Sequence, residues 1–143
     1  MYSFRKSKKG FTLIELMVVV AIIGVLALLG LRLYTGQQTK AKEAIVKANA
    51  GTVQTLIQSE LADGNISNIA SLVSDIDADA GMRNPFDNTA SVCETTSTDI
   101  SSSAPGTPVI GCVYVFEKTT GTEYYIRGYG KTGLLPDLLT AKL

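Results

Sequence analysis

The chain has 143 residues, which is enough for one domain with little room for a second. Its 13 basic and 13 acidic residues give a formal net charge of zero, which argues against a nucleic-acid binder held by overall charge. It contains no histidine and two cysteines, so His-based catalysis, His-ligated metal sites and a four-thiolate zinc site are all excluded.

The N-terminus joins a basic stretch to a long apolar segment. Four of the thirteen basic residues lie among the first nine positions: Arg5, Lys6, Lys8 and Lys9. Residues 11–31 carry one charged side chain, Glu15, and as a helix they would be about 31 Å long at ~1.5 Å per residue. The hydrocarbon core of a bilayer is about 30 Å thick. The sequence therefore predicts a membrane-spanning helix whose N-terminus stays in the cytoplasm with the basic residues.

Two features of this segment have alternative interpretations. A removable secretory signal peptide is the alternative to a retained anchor, but the segment has no small-x-small cleavage site and continues into a helical pattern. A carboxylate in the bilayer costs roughly 2.5–3.5 kcal/mol. Glu15 therefore either lies close enough to the interface to reach water or pairs with a cation from elsewhere, since the segment contains no Lys or Arg.

The run Lys-Lys-Gly-Phe-Thr-Leu-Ile-Glu, residues 8–15, resembles the processing site of type IV prepilins. It combines a short basic leader, Gly10 before the cut, Phe11 after it and a glutamate at the fifth mature position. The resemblance implies that a membrane-embedded prepilin peptidase cuts between Gly10 and Phe11 and N-methylates Phe11. It also implies that Glu15 pairs with the N-terminal amine of a neighbouring Phe11 during assembly, and a buried carboxylate is tolerated only when it is paired.

The predicted fold class is α+β, with a long N-terminal helix packed on a small C-terminal antiparallel sheet. The helix is expected from about residue 11 to about residue 62, with a stop signal at residues 63–65. The predicted divisions are a leader (1–10), a transmembrane or filament-core helix (11–31), an amphipathic half of the same helix (32–63) and a globular head (64–143). The amphipathic half has an apolar stripe that a sheet is expected to cover: Ala41, Ala44, Ile45, Ala48, Thr52, Leu56 and Ile57.

A short second helix is predicted over residues 66–76, followed by an acidic run. Asp75, Asp77 and Asp79 echo the start of a calcium-binding loop, with Gly81 one place late and Phe86 where such a loop needs a glutamate. These three carboxylates are a weak candidate metal site, and a solvated acidic loop is the favoured alternative. Asn65-Ile66-Ser67 matches a glycosylation sequon, a pattern short enough to occur often by chance.

The C-terminal part reads as a loop followed by strands. Residues 95–108 are rich in Ser, Thr and Pro and predict an exposed loop. Residues 109–117 predict a central strand, residues 119–121 a turn, and residues 122–129 the returning strand. Cys93 and Cys112 lie outside the cytoplasm in this topology, so we expect them to form one disulfide; two free thiols are the alternative.

The first functional hypothesis is a structural subunit of a type IV pilus. Its partners would be other copies in a helical filament, the prepilin peptidase and an inner-membrane assembly platform, and it would lie in the inner membrane before assembly and outside the cell afterwards. The alternative is a pseudopilin of a type II secretion or competence machine. No enzyme activity, cofactor or small-molecule substrate is expected, because no nucleophile–base pair is found. Direct nucleic-acid binding is not expected, since the C-terminal bases are scattered: Lys118, Arg127, Lys131 and Lys142.

Overall fold

The computed structural model describes residues 10–64, 66, 68–88 and 92–143. The leader residues 1–9, two of the three sequon residues (65 and 67) and the side chain of Asp79 lie outside the described residues. Two helices and five strands are found within these ranges. They are α1 (Leu13–Asp63), α2 (Ile69–Asp79), β1 (Cys93–Thr96), β2 (Val113–Thr119), β3 (Glu123–Gly130), β4 (Gly133–Leu134) and β5 (Leu139–Lys142).

The five strands form one mixed sheet in the order β1-β2-β3-β4, with β5 also paired to β3. β1 runs parallel to β2, whereas the other pairs are antiparallel, so the expectation of a purely antiparallel sheet is wrong at β1. The reason is the length of the connection between β1 and β2, residues 97–112, which is long enough to bring the chain back to the end of the sheet where β1 began. A tight hairpin would have given an antiparallel pair. The α+β class is confirmed, and β2 is central as expected, since it lies between β1 and β3.

The first unit of the chain ends at Gln37 and, in its described part, consists of residues 10–12 and the start of α1. Its side chains are exposed, and an 18-residue window of α1 reaches a mean hydropathy of 2.8. This helix is long and apolar enough to cross a membrane. Because it is apolar all round, it needs lipid or other protein chains to cover it.

The second unit, Gln38–Leu143, has its main core where α1 meets one face of the sheet. The buried α1 side chains recur at steps of three and four residues, so they share one face of the helix. They are Val46, Ala50, Val53, Ile57 and Leu61. Val113, Val115, Tyr124 and Ile126 of the sheet belong to the same core, with Val73 and Ile76 of α2.

The predicted apolar stripe on this part of α1 was largely on the wrong face. Of its seven members only Ile57 is buried, and Leu56 packs partly against the core. The other five are exposed: Ala41, Ala44, Ile45, Ala48 and Thr52. Alanine and threonine bury little apolar area, so their burial contributes little free energy. The sheet covers the face that carries the valines and the C-terminal leucine instead.

Glycine in β3 lets α1 approach the sheet closely. A Cβ atom at Gly128 would lie 2.6 Å from Cγ1 of Val46 and 3.1 Å from Cδ1 of Leu135. A Cβ atom at Gly130 would lie 2.9 Å from Oε1 of Glu43. The helix therefore rests on the bare backbone of β3 at these two positions, and Val46 fills the space that a side chain would need.

The strand predicted over residues 109–117 begins only at Val113. Gly111, just before it, has a φ of 92°, a conformation that favours glycine and turns the chain. The buried Asn84 side chain packs against Gly111 and donates from Nδ2 to the carbonyl oxygen of Ile110 at 2.8 Å. The returning strand is confirmed as β3, one residue later than the predicted bounds.

The loop predicted over residues 95–108 is less exposed than expected. Its first two residues belong to β1, and Ile100 is fully buried beside Cys112 and Tyr114. Arg127 of β3 holds this part of the connection in place, because its Nη1 donates to the carbonyl oxygens of Ile100 (2.9 Å) and Ser101 (3.0 Å).

Replacing Gly128 with alanine is expected to destabilise the fold. The added methyl would overlap Val46, and overpacking of this kind typically costs about 1–3 kcal/mol of unfolding free energy. Gly106→Ala is the matched control, because a Cβ there meets nothing within 4 Å. Denaturant unfolding of the detergent-solubilised chain measures both. A Gly128→Ala/Val46→Ala double variant should lose less than the sum of the two single changes; strict additivity would contradict the contact.

Candidate processing and assembly site

The predicted processing residues lie just ahead of α1. Gly10 and Phe11 are exposed and outside the helix, and Phe11 is 89% exposed. A Cβ atom at Gly10 would meet nothing within 4 Å, so the fold itself does not require glycine there. Any requirement for Gly10 would therefore arise in a complex with a processing enzyme. The bond between the two residues lies in an exposed part of the chain.

Glu15 is hydrogen-bonded to the start of its own helix. Its Oε2 accepts from the Thr12 hydroxyl (2.7 Å) and from the Thr12 backbone N–H (2.8 Å), while its own N–H donates to Thr12 Oγ1 (3.3 Å). The first helical bond, from Leu16 N–H to the Thr12 carbonyl, starts at the same residue. This reciprocal arrangement is a capping box, which satisfies backbone donors that a helix N-terminus leaves unpaired.

Sequence analysis singled out Glu15 but missed Thr12. The signal was present, because a threonine followed three residues later by a glutamate before an apolar run is the capping-box pattern. The capping bonds give the carboxylate a local role that the two earlier interpretations omitted. Among the described residues Glu15 has no basic partner, so a cation would have to come from outside that part of the chain.

Cys93 is the first residue of β1, and Cys112 directly precedes β2. Cys93 opens β1 opposite Val113, the residue directly after Cys112. Strands are ~4.8 Å apart and rise ~3.3 Å per residue, so a residue one extended step before Val113 would have its Cα about 6 Å from that of Cys93, within the range of a disulfide. The side chains, however, belong to different clusters: Cys93 packs in the core against α1 and Cys112 with Ile100 and Tyr114. The pairing stays a prediction.

The acidic run lies on a helix rather than in a calcium-type loop. Asp75 and Asp77 belong to α2, which follows an Asn68 cap and starts at Ile69, three residues later than predicted. Oδ1 of Asp77 accepts from the backbone N–H groups of Val92 (2.7 Å) and Cys93 (3.0 Å), so this carboxylate holds the start of β1. Within the described ranges no group of three or more metal-ligating side chains is found. The loop interpretation is therefore wrong for Asp75 and Asp77.

Comparison with known protein families places one match at this N-terminal site. Residues 5–31 match the family described as the prokaryotic N-terminal methylation motif. The chain is 47% identical over 62 residues to fimbrial protein EcpB of Eikenella corrodens, covering 43% of this chain and 39% of that protein. It is 34% identical over 76 residues to fimbrial protein Q of Moraxella bovis, covering 53% and 48%.

A third relative is the type IV major fimbrial protein FimA of Dichelobacter nodosus, 44% identical over 57 residues, covering 40% of this chain and 36% of that protein. The chain thus spans between about a third and half of the length of these relatives. No solved structure is significantly similar to the chain.

A long apolar N-terminal helix followed by a small sheet defines the pilin-like class of α+β proteins. The chain carries the prokaryotic N-terminal methylation motif and is similar, over part of its length, to proteins named as type IV fimbrial proteins.

The buried cysteines should be poorly reactive in the reduced, folded protein. Burial raises the pKa of both thiols from 9.0 to about 12, and the nearby carboxylates of Asp77 and Glu94 add to the shift. The thiolate is the reactive form, so alkylation at pH 8 should be about a thousandfold slower in the folded than in the unfolded chain. The unfolded thiols ionise first, so the reduced protein should lose stability as the pH rises from about 9 towards 12.

Iodoacetamide labelling with and without urea, followed by mass spectrometry, measures this difference. Equal labelling rates in the two states would contradict the burial of the thiols.

Proposed function

We propose that the chain is a structural subunit of a type IV pilus, which polymerises through its N-terminal helix into a surface filament. The observation that carries the proposal is the apolar start of α1, which is exposed on all sides and preceded by an accessible Gly10–Phe11 bond. A helix of this kind is stable in two settings, within lipid and packed among other apolar helices. The proposed sequence of events uses both settings in turn.

In this proposal the unassembled subunit spans the inner membrane with its N-terminus inside. A prepilin peptidase removes the leader, and an assembly platform in the same membrane transfers the subunit into the filament. The proposal covers the whole protein, whereas the matched relatives align over 57 to 76 residues of the chain. Adhesion, motility and DNA uptake are activities of such filaments among which these observations do not choose.

Electron microscopy of surface filaments, with mass spectrometry of their subunit, tests the proposal. Long surface filaments built from this chain are the expected result. Short periplasmic assemblies without surface filaments would favour the pseudopilin of a secretion or competence machine instead.

Cleavage after Gly10 is the first consequence that can be measured. The mature protein should begin at Phe11 and carry one additional methyl group, as shown by intact mass. Among substitutions at Gly10, alanine should be tolerated best, because it adds the smallest side chain to a subsite shaped for glycine. A mature chain that begins at Met1, or beyond residue 30, would rule out this processing.

The charge of Glu15 should be needed for assembly but not for membrane insertion. Glu15→Val should insert at least as well as the wild type, because a carboxylate is unfavourable in hydrocarbon, and it should be cut normally. Without the Glu15 carboxylate, the N-terminal amine of an incoming subunit stays unpaired, which costs several kcal/mol. The sheared surface fraction should therefore fall by at least about tenfold relative to the membrane fraction.

Glu15→Gln separates charge from capping. Glutamine at the third helical position still offers an oxygen to the Thr12 N–H, so it keeps the capping box and loses only the charge. It should fail to assemble as Glu15→Val does. If Glu15→Gln assembles normally while Glu15→Val does not, the cap is the requirement, and if both assemble normally the pairing is wrong.

We also propose that Cys93 and Cys112 are joined once the domain lies outside the cytoplasm. The Cα separation expected from the strand spacing supports a bridge, although one side chain must turn towards the other face of the sheet to form it. Non-reducing peptide mapping should find one crosslinked pair. Reduction of the wild type, which changes no side-chain volume, should lower the unfolding free energy by about 3 kcal/mol. Two titratable thiols in the denatured surface protein would contradict the bridge.

A further inference from the structure

Among the strands that the structure describes, β5 lies at an edge of the sheet. It pairs with β3 on one side, with Thr140 opposite Tyr125 and Lys142 opposite Glu123. The backbone N–H of Leu143 donates to the carbonyl oxygen of Thr122 at 3.1 Å, which fixes the alternation of the ladder. Residues 139, 141 and 143 therefore bond to β3, and the N–H and C=O groups of Thr140 and Lys142 point away from the sheet.

Two glutamines of α1 reach this edge. Nε2 of Gln54 donates to the carbonyl oxygen of Thr140 at 2.8 Å, and Nε2 of Gln58 donates to that of Lys142 at 3.4 Å. The spacings of the two elements match, because four helical residues rise about 6 Å and two strand residues about 6.7 Å. Successive outward carbonyls of β5 thus meet glutamines one helical turn apart.

An unpaired strand edge is a template for another strand, and natural sheets protect such edges. The outward N–H and C=O groups of Thr140 and Lys142 are the set that an antiparallel strand would bond. A second copy of β5, related by a two-fold axis, presents the same set in the complementary order. Both outward acceptors are already occupied by side chains of the same chain.

We propose that Gln54 and Gln58 close the β5 edge against a second copy of this chain. Strand addition at β5 would join subunits through their sheets, and the two side-chain amides compete with it by holding the acceptors it needs. The two glutamines need no ion or cofactor, because their side-chain amides on α1 donate directly to the edge of β5. The proposal does not rest on the proposed pilus function, because it concerns the second unit of the chain alone.

The test replaces both donors with methionine in the full chain held in detergent. Gln54→Met/Gln58→Met keeps side-chain length and helix propensity and removes the two N–H groups. The wild type and Gln37→Met, an exposed glutamine on the same helix, should give the same protein mass by light scattering. The double variant should give twice that mass, and the amide protons of Thr140 and Lys142 should become protected from exchange.

A third variant identifies the surface responsible. Thr140→Pro removes the outward N–H, and proline is tolerated on an edge where that group bonds to nothing in its own sheet. Added to the double variant, it should return the mass to the wild-type value. If association persists, the methionines themselves are adhesive and the proposal is overturned. An unchanged mass in the double variant would overturn it too. Should that variant unfold, Gln54→Met alone, which removes the shorter bond, gives the same decision.

Discussion

The contact between Val46 and the backbone of Gly128 is the constraint on which the second unit depends. With no side chain at Gly128, the helix lies directly on β3, and the position of Val46 fixes both the rotation and the height of α1. Rotation decides which stripe is buried, since each residue turns the helix by about 100°. The distance between α1 and the sheet decides which polar side chains meet. Lys47 forms an ion pair at 2.7 Å with Asp137, in the connection between β4 and β5, rather than with Glu43 one turn away on α1. One close approach thus sets apolar and polar contacts together.

The parts of the fold that are local in sequence were predictable, and the parts that depend on pairing were not. The long helix follows from an apolar run and a stop signal, and the β2–β3 hairpin from two apolar segments around Gly121. The buried face of α1 was misjudged because alanines lie on both faces, and the Gly128 contact that selects one face joins residues 82 positions apart. The strands β4 and β5 are too short to show a period, and they exist only through their bonds to β3.

The candidate site could be singled out from the sequence because its motif is contiguous. Gly10, Phe11 and Glu15 fall within six residues, and no long-range pairing is needed to bring them together. Sequence reasoning examined the charge of Glu15 and overlooked its hydrogen bonds, so Thr12 was missed. The prediction for the acidic run failed for the opposite reason. Asp77 was judged by its neighbours in sequence, whereas it accepts from the backbone N–H groups of Val92 and Cys93, 15 and 16 residues away, at the start of β1.

The position of the helix cap has a consequence for maturation. The hydrogen bonds of α1 begin at Thr12, so the Gly10–Phe11 bond lies outside the helix and its capping box. Hydrolysis there would leave every bond of the described helix in place. The precursor and the mature chain would then share one folded structure and differ at the N-terminus by four basic side chains and a newly made amine. If the chain is processed as proposed, maturation would change the charge at the N-terminus and leave the hydrogen bonds of α1 in place, so folding and assembly would be separate steps.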